Sequence, residues 1–147
     1  MDYKSNADLY ESYGRVAPLA LRSVLRFVLA AREQTGGDLD LWVVLSVIAS
    51  RNMETPEFRS ATVEGLRAPP ESMFGLRPTN IRSIAASTGI PKETVRRKVL
   101  ELVKRGWVTR VEDGLVATAK GASDNVELAK MLMDLVDDLR QSARAGV

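Results

Sequence analysis

The sequence predicts a mainly helical fold with one small β-hairpin, and three observations carry that reading. Apolar residues recur at three- and four-residue spacing in several long segments, the period of helices with a buried face. Between Asn80 and Arg105 two such segments are separated only by Gly89, Ile90 and Pro91, which makes them neighbouring helices joined by a tight turn. Directly afterwards a β-rich run from Trp107 to Val111 meets Glu112, Asp113 and Gly114 and returns as Leu115 to Thr118, the pattern of two strands and a turn.

Residues 1 to 13 are polar and read as an arm with little core of its own. Its tyrosines, Tyr3, Tyr10 and Tyr13, either cover a neighbouring apolar edge, the favoured reading, or stack on a partner chain. From Gly14 to about Thr35 the pattern is helical, with Arg15, Arg22 and Arg26 on one narrow polar stripe. Leu19, Leu21, Val24, Leu25, Phe27, Val28 and Leu29 occupy much of the remaining circumference, and so many apolar sides in a small protein predict a second copy as cover. The arginine stripe reads as a solvated face or as a partner for acids elsewhere, ahead of a phosphate contact. Gly36 and Gly37 stop this helix, and Asp38 or Asp40 caps the next one, which ends near Asn52. Trp42, Leu45, Ile48 and Ala49 mark its buried face, the flanking Val43, Val44 and Val47 predict burial on more than one side, and by position it is the first helix of a three-helix core.

Residues 53–78 read as an insertion. Thr55, Pro56 and Glu57 spell a helix start, so PEFRSATVEG predicts two or three helical turns, whereas GLRAPPESMFGLRP is irregular by its prolines and glycines. The segment is either a ligand-sensing or partner-specific element or a lid that plugs Phe58, Met73, Phe74 and Leu76 into the core; the lid is favoured.

Asn80 suits an N-cap, because its side-chain oxygen can accept from an unpaired N–H of the first turn. Ile81, Ile84 and Ala85 form a buried stripe, and Gly89 is the residue that takes positive φ at a helix end without a Cβ clash. Ile90 plugs the angle between the helices, and the fixed φ of Pro91 suits the start of the second. In that helix Val95, Val99, Leu102 and Val103 form the buried stripe, and Lys92, Glu93, Thr94, Arg96, Arg97 and Lys98 lie mostly away from it. From Thr79 to Val111 there are eight Lys or Arg against two acids, a balance of +6, whereas the whole chain carries +2, so the remainder sums to −4. That concentration is the electrostatic footprint of a phosphate-binding surface. Ser123 or Asp124 then caps a last helix whose Leu128, Leu132, Leu135 and Leu139 step as a short coiled-coil seam. That seam meets either the N-terminal helix of the same chain or a second copy, and Asp134, Asp137 and Asp138 offer an acidic face to Arg22 or Arg26.

The stretches IAASTGIP, ETVRRKVLELVKRGW and GLVATAKG resemble the helix-turn-helix and wing of bacterial winged-helix transcription regulators of the MarR and IclR type, over about 43 of the 147 residues. The resemblance implies a mainly α winged helix-turn-helix, a three-helix core plus a β-hairpin wing, with N- and C-terminal dimerisation helices. The implied organisation is an arm and dimerisation helix over 1–37, the DNA-binding domain over 38–121 with the insertion at 53–78, and a second dimerisation helix over 122–147. It implies a homodimer on double-stranded DNA, with the helix 92–105 in the major groove. Lys92, Thr94, Arg96 and Arg97 would meet bases or phosphates there, Lys98 belongs to the same contact set, and Arg82 and Arg110 would fix position on the backbone. Glu112 and Asp113 at the hairpin tip, which DNA repels, depart from the family pattern and put contact on the strand rather than the tip.

Composition narrows the alternatives. Cysteine and histidine are both absent, which removes disulfides, thiolate nucleophiles, histidine-based triads and the commonest metal ligand. No catalytic pair of carboxylates stands out, so no enzyme, cofactor or metal is expected. No apolar run approaches the ~18 residues needed to cross a bilayer, and the first residues do not read as a signal peptide, so a soluble cytoplasmic protein with no membrane partner is expected. The rival reading is a winged-helix protein-interaction module without DNA binding, against which the cationic helix argues. A small-molecule effector is conceivable among the apolar helices, but no residue specifies one.

Overall fold

Apart from one two-stranded antiparallel sheet the protein is mainly helical, over the residues 6–146 that the computed structural model describes. The expectation for Tyr3 lies outside those residues. In chain order the elements are α1 (Asn6–Glu11), α2 (Tyr13–Gln34), α3 (Leu39–Met53), α4 (Ile81–Thr88), α5 (Lys92–Lys104), β1 (Val108–Val111), β2 (Gly114–Ala117), α6 (Ala119–Asp124) and α7 (Val126–Gly146). The chain divides into two compact units, one of Met1–Ala31 with Leu128–Val147 and one of Arg32–Glu127. The last residues of α2 and all of α6 belong with the central unit. No helix among the described residues is long and apolar enough to cross a membrane.

In the central unit, α3 packs against α4, α5 and β2. Leu41, Val44, Leu45 and Ile48 of α3 meet Ile84 of α4, the Val95, Val99 and Leu102 stripe of α5, and Trp107, Val108, Leu115 and Ala117 at the hairpin. The start of α3 is fixed by Asp38, which accepts from the Leu41 N–H at 2.9 Å. Leu45, Ile48, Ala49 and the flanking Val44 pack as expected, but Trp42 is half-buried and outside the core cluster, and Leu41 and Asn52 are buried in addition. The face is set by what α5 and β2 present, and those neighbours are far away in sequence.

The hairpin pairs Val108 with Ala117 and Val111 with Gly114 across the two-residue turn Glu112–Asp113. Thr79, just before α4, adds an isolated bridge to Leu115 through hydrogen bonds of 3.1 and 2.8 Å. A Cβ at Gly114, where φ is +142°, would stand 2.2 Å from the Thr79 carbonyl oxygen, so only glycine admits that approach.

The segment between α3 and α4 has no α-helix. Single 3₁₀ turns form at Pro56–Phe58, Glu64–Arg67 and Glu71–Met73, in place of the two or three turns expected over PEFRSATVEG. Among the four residues expected to plug the core, Phe74 packs against it, Phe58 and Met73 are half-buried, and Leu76 is 50% exposed; Leu66 is buried instead. The segment is held at its end by a buried amide. Asn52 donates from Nδ2 to the Arg77 carbonyl at 3.2 Å, and its Oδ1 accepts from the Ala117 N–H at 2.8 Å.

After the hairpin, Thr118 caps α6 by accepting from the Gly121 N–H at 2.9 Å. Ser123 and Asp124 therefore end a short helix rather than capping the last one. Asp124 instead accepts from Lys120 and from Trp107 Nε1 at 2.9 Å, which in that order hold its carboxyl below the usual range.

In the other unit, Arg26 pairs with Asp138 at 3.3 Å, the acidic partner expected for the arginine stripe. Leu21, Leu25 and Leu29 of α2 are 65%, 56% and 52% exposed, and Leu132, Met133 and Val136 of α7 are exposed as well. Leu128, Leu135 and Leu139 are half-buried. Tyr10 and Tyr13 are 78% and 70% exposed, so they cover no apolar edge of this chain, contrary to the favoured expectation.

Asn52→Ala leaves the buried Ala117 N–H and the part-buried Arg77 carbonyl without these partners, about 1–3 kcal/mol for the buried donor and less for the carbonyl. We expect a loss of about 2–4 kcal/mol in urea unfolding, against less than about 0.5 kcal/mol for a control at an exposed site such as Ser50→Ala; equal losses would show that Asn52 ties nothing together.

Candidate nucleic-acid interface

The pair α4 and α5 is built by local chemistry. Asn80, in an extended conformation, accepts from the Ser83 N–H at 2.9 Å and so satisfies one free donor of α4. Gly89 ends that helix in the left-handed region at φ 74°, with its N–H on the Ala85 carbonyl. Thr88 Oγ1 donates to the Ile84 carbonyl at 2.7 Å and accepts from the Ile90 N–H at 3.2 Å, which stiffens the turn. Pro91, at φ −56°, stands immediately before the first helical residue of α5.

Val95, Val99 and Leu102 are each 0% exposed and fix the rotation of α5. At about 100° per residue, Arg97 and Lys104 then point almost directly away from the core, Lys92 and Arg96 fall on one flank, and Lys98 falls on the other. Arg82, Lys92, Arg96, Arg97 and Arg110 are exposed, while Thr94 and Lys98 are half-buried.

The first flank borders a groove of about 590 Å³ between the start of α4, the start of α5 and the hairpin. Its charged lining is Arg82 from α4, Lys92, Glu93 and Arg96 from α5, and Arg110 and Glu112 from the hairpin. Arg82, Lys92 and Arg110 pair with no carboxylate among the described residues. Arg96 is engaged by Glu93, with Nε donating to Oε2 at 3.1 Å and Nη2 donating to Oε1. The Arg96 hydrogen bonds hold the Glu93 carboxyl below its usual range. Four of the seven residues proposed from sequence thus meet in one groove, and Glu93, not among them, lies between two of them. Its acidic character on a basic helix was the signal available in the sequence.

The other three are placed differently. Arg97 stands on the outward front of α5 and donates to Thr94 Oγ1 at 3.4 Å. Lys98 Nζ donates to Asp38 Oδ2 at 2.7 Å, with only 24% of its side chain exposed. It ties α5 to the start of α3 and does not line the groove. Burial pushes the Asp38 carboxyl up, but the Lys98 hydrogen bond, the Leu41 N–H and the charges of Lys98 and Arg105 outweigh this and leave it below its ordinary value. Arg105 bonds Glu101 at 3.1 Å and lies 5.0 Å from the Trp107 ring centroid, so it too is committed within the fold.

The groove therefore presents three uncommitted cations from three separate elements, beside an exposed basic front. Such an arrangement can bind phosphate oxygens at several points. No protein-family model matches this chain, and no curated protein or solved structure matches it.

Because folding lowers the Asp38 carboxyl, its ion pair contributes stability above the unfolded pKa, and that contribution is lost as pH falls through the folded pKa. Asp38→Asn keeps a good N-cap but removes the charge. We expect the variant to melt below the parent at neutral pH and the gap to close on acidification below the carboxylate range; a gap independent of pH would show that the ion pair is not its source.

Proposed function

We propose that the protein is a winged-helix transcription regulator that binds double-stranded DNA as a homodimer in the cytoplasm. The observation that carries this reading is the convergence of Arg82, Lys92 and Arg110, from a helix start, a second helix start and a strand, on one groove without carboxylate partners. In this reading the hairpin is the wing and α5 lies in the major groove, with Arg97 on its front and Arg96 on its flank directed at base edges. An arginine fork suits the two acceptors of guanine, which is worth about 1–3 kcal/mol of discrimination. Arg82, Lys92 and Arg110 would sit on phosphates and fix position without reading sequence. Lys98, bonded to Asp38, ties the other flank of α5 to the start of α3 and leaves the contact set.

The exposed leucines of α2 and the exposed Leu132, Met133 and Val136 of α7 supply apolar surface for a second copy. A twofold dimer on DNA implies a pseudo-palindromic site with half-sites about 34 Å apart, or a multiple of that.

Filter-binding titration of the full chain with random duplex at two salt concentrations tests the reading. Binding should fall steeply with salt, and Arg82→Ala, Lys92→Ala and Arg110→Ala should each weaken all sequences alike and flatten the log–log salt slope by roughly 0.9. Arg97→Ala should instead lose roughly 1–3 kcal/mol selectively on the preferred site. Salt-independent binding, or none, would sink the reading.

Dimerisation has its own measurement. Leu25→Glu should convert a dimer to a monomer in sedimentation equilibrium and leave the helical circular dichroism spectrum intact. A parent chain that sediments as a monomer at micromolar concentration rules the homodimer out.

A further inference from the structure

Glu93 stands nearly opposite the buried stripe of α5, at the middle of the front that the proposed reading turns toward DNA. A carboxylate there weakens attraction to phosphates and requires another role. It is not a free charge: its two oxygens engage Arg96 at two points, Nε to Oε2 and Nη2 to Oε1. That contact fixes the guanidinium plane and uses one edge of it. Of the five N–H donors of an arginine, three remain, and two of them, one on Nη1 and one on Nη2, share the end edge of the guanidinium. Two roughly parallel N–H groups from that edge match the O6 and N7 acceptors of guanine in the major groove.

We infer that Glu93 is a positioning residue that aims Arg96 at a guanine, and that it suppresses attachment to unrelated sequences by cancelling one cation of the front. This rests on the DNA-binding reading. The pair is exposed, with 52% of the Arg96 side chain and 67% of the Glu93 side chain accessible, so it adds little to folding stability. Its effect lies in orientation, since an arginine already held in one geometry loses less side-chain freedom on binding. An acid in the first turn also favours the helix through the backbone dipole. That role acts on melting temperature and leaves base preference where it was.

The test uses the full chain and three probes: a duplex selected by the parent protein from a random pool, the same duplex with single guanines replaced by 7-deazaguanine, and a shuffled duplex. Loss of N7 at the guanine read by Arg96 should weaken the parent at least about five-fold, the lower end for a bidentate contact. In Glu93→Gln that penalty should shrink to about two-fold or less. The same variant should bind the shuffled duplex more tightly, with a salt slope steeper by up to about 0.9. In Arg96→Ala the penalty should vanish, and adding Glu93→Gln should change it no further, which closes the double-mutant cycle. If Glu93→Gln keeps the full guanine penalty and the parental affinity for shuffled duplex, the positioning role is overturned while DNA binding stands. If the parent itself shows no salt-dependent duplex binding, the functional reading falls and this inference with it.

Discussion

One buried amide sets the geometry on which the cationic groove depends. Asn52, near the end of α3, joins the Arg77 carbonyl at the close of a long irregular segment to the Ala117 N–H of β2. The clasp gives the segment before α4 and the hairpin after α5 a common reference on α3, beside the shared core. With it, Thr79 is delivered to Leu115, where two backbone hydrogen bonds join the start of α4 to the hairpin. Arg82 and Arg110 then flank the same groove although 27 positions separate them in sequence. The energetic logic is asymmetric. A satisfied buried hydrogen bond contributes only about 1 kcal/mol, but leaving its partners unpaired costs more, so the clasp acts chiefly by penalising every other arrangement.

Charge on the basic segment is partitioned by pairing. Of its eight cations, Lys98 is bound to Asp38, Arg105 to Glu101 and Arg96 to Glu93. Arg82, Lys92, Arg97, Lys104 and Arg110 remain without a carboxylate partner among the described residues. The three pairs are not equivalent. Lys98 is largely covered, and removing its partner would strand a poorly solvated ammonium, whereas the Glu93–Arg96 contact is open to water and adds little to folding stability. Net charge read along the chain thus overstates the free positive surface, and the location of the acids decides which cations are free.

What could be read in advance follows the range of each interaction. The cap at Asn80, the left-handed Gly89, the start at Pro91 and the Val95–Val99–Leu102 stripe are short-range effects, and all appear where their residue types place them. The hairpin belongs to the same class, although its turn takes only Glu112 and Asp113, and Gly114, expected in the turn, opens β2. Trp42 misled because hydrophobicity sets how much a residue gains by burial, whereas the burying face of α3 is chosen by α5 and β2. Thr55-Pro56-Glu57 carries a valid start signal but no sustained apolar period behind it, and only one 3₁₀ turn forms. Thr118 caps a short additional helix, because its hydroxyl reaches the Gly121 N–H, and Ser123 and Asp124 fall at the end of that helix, where Asp124 is drawn to Lys120 and Trp107. Asn52 was invisible for a deeper reason: a polar side chain that pairs with distant backbone leaves no periodic trace.

On the proposed reading, the number of free cations bears on why a second copy would be needed. Each phosphate neutralised shifts the salt dependence by roughly one unit of log–log slope, and proteins that hold duplex DNA firmly make about six to ten such contacts. One chain has five cations without a carboxylate partner on this segment, and those directed at bases leave fewer for phosphate. Two chains related by a twofold axis double that number and address two half-sites at once, so their binding free energies combine with only a modest linking cost. The exposed leucines of α2 and the exposed apolar residues of α7 would then serve DNA affinity without touching DNA, since burying them between copies is what brings the second set of cations to the same duplex.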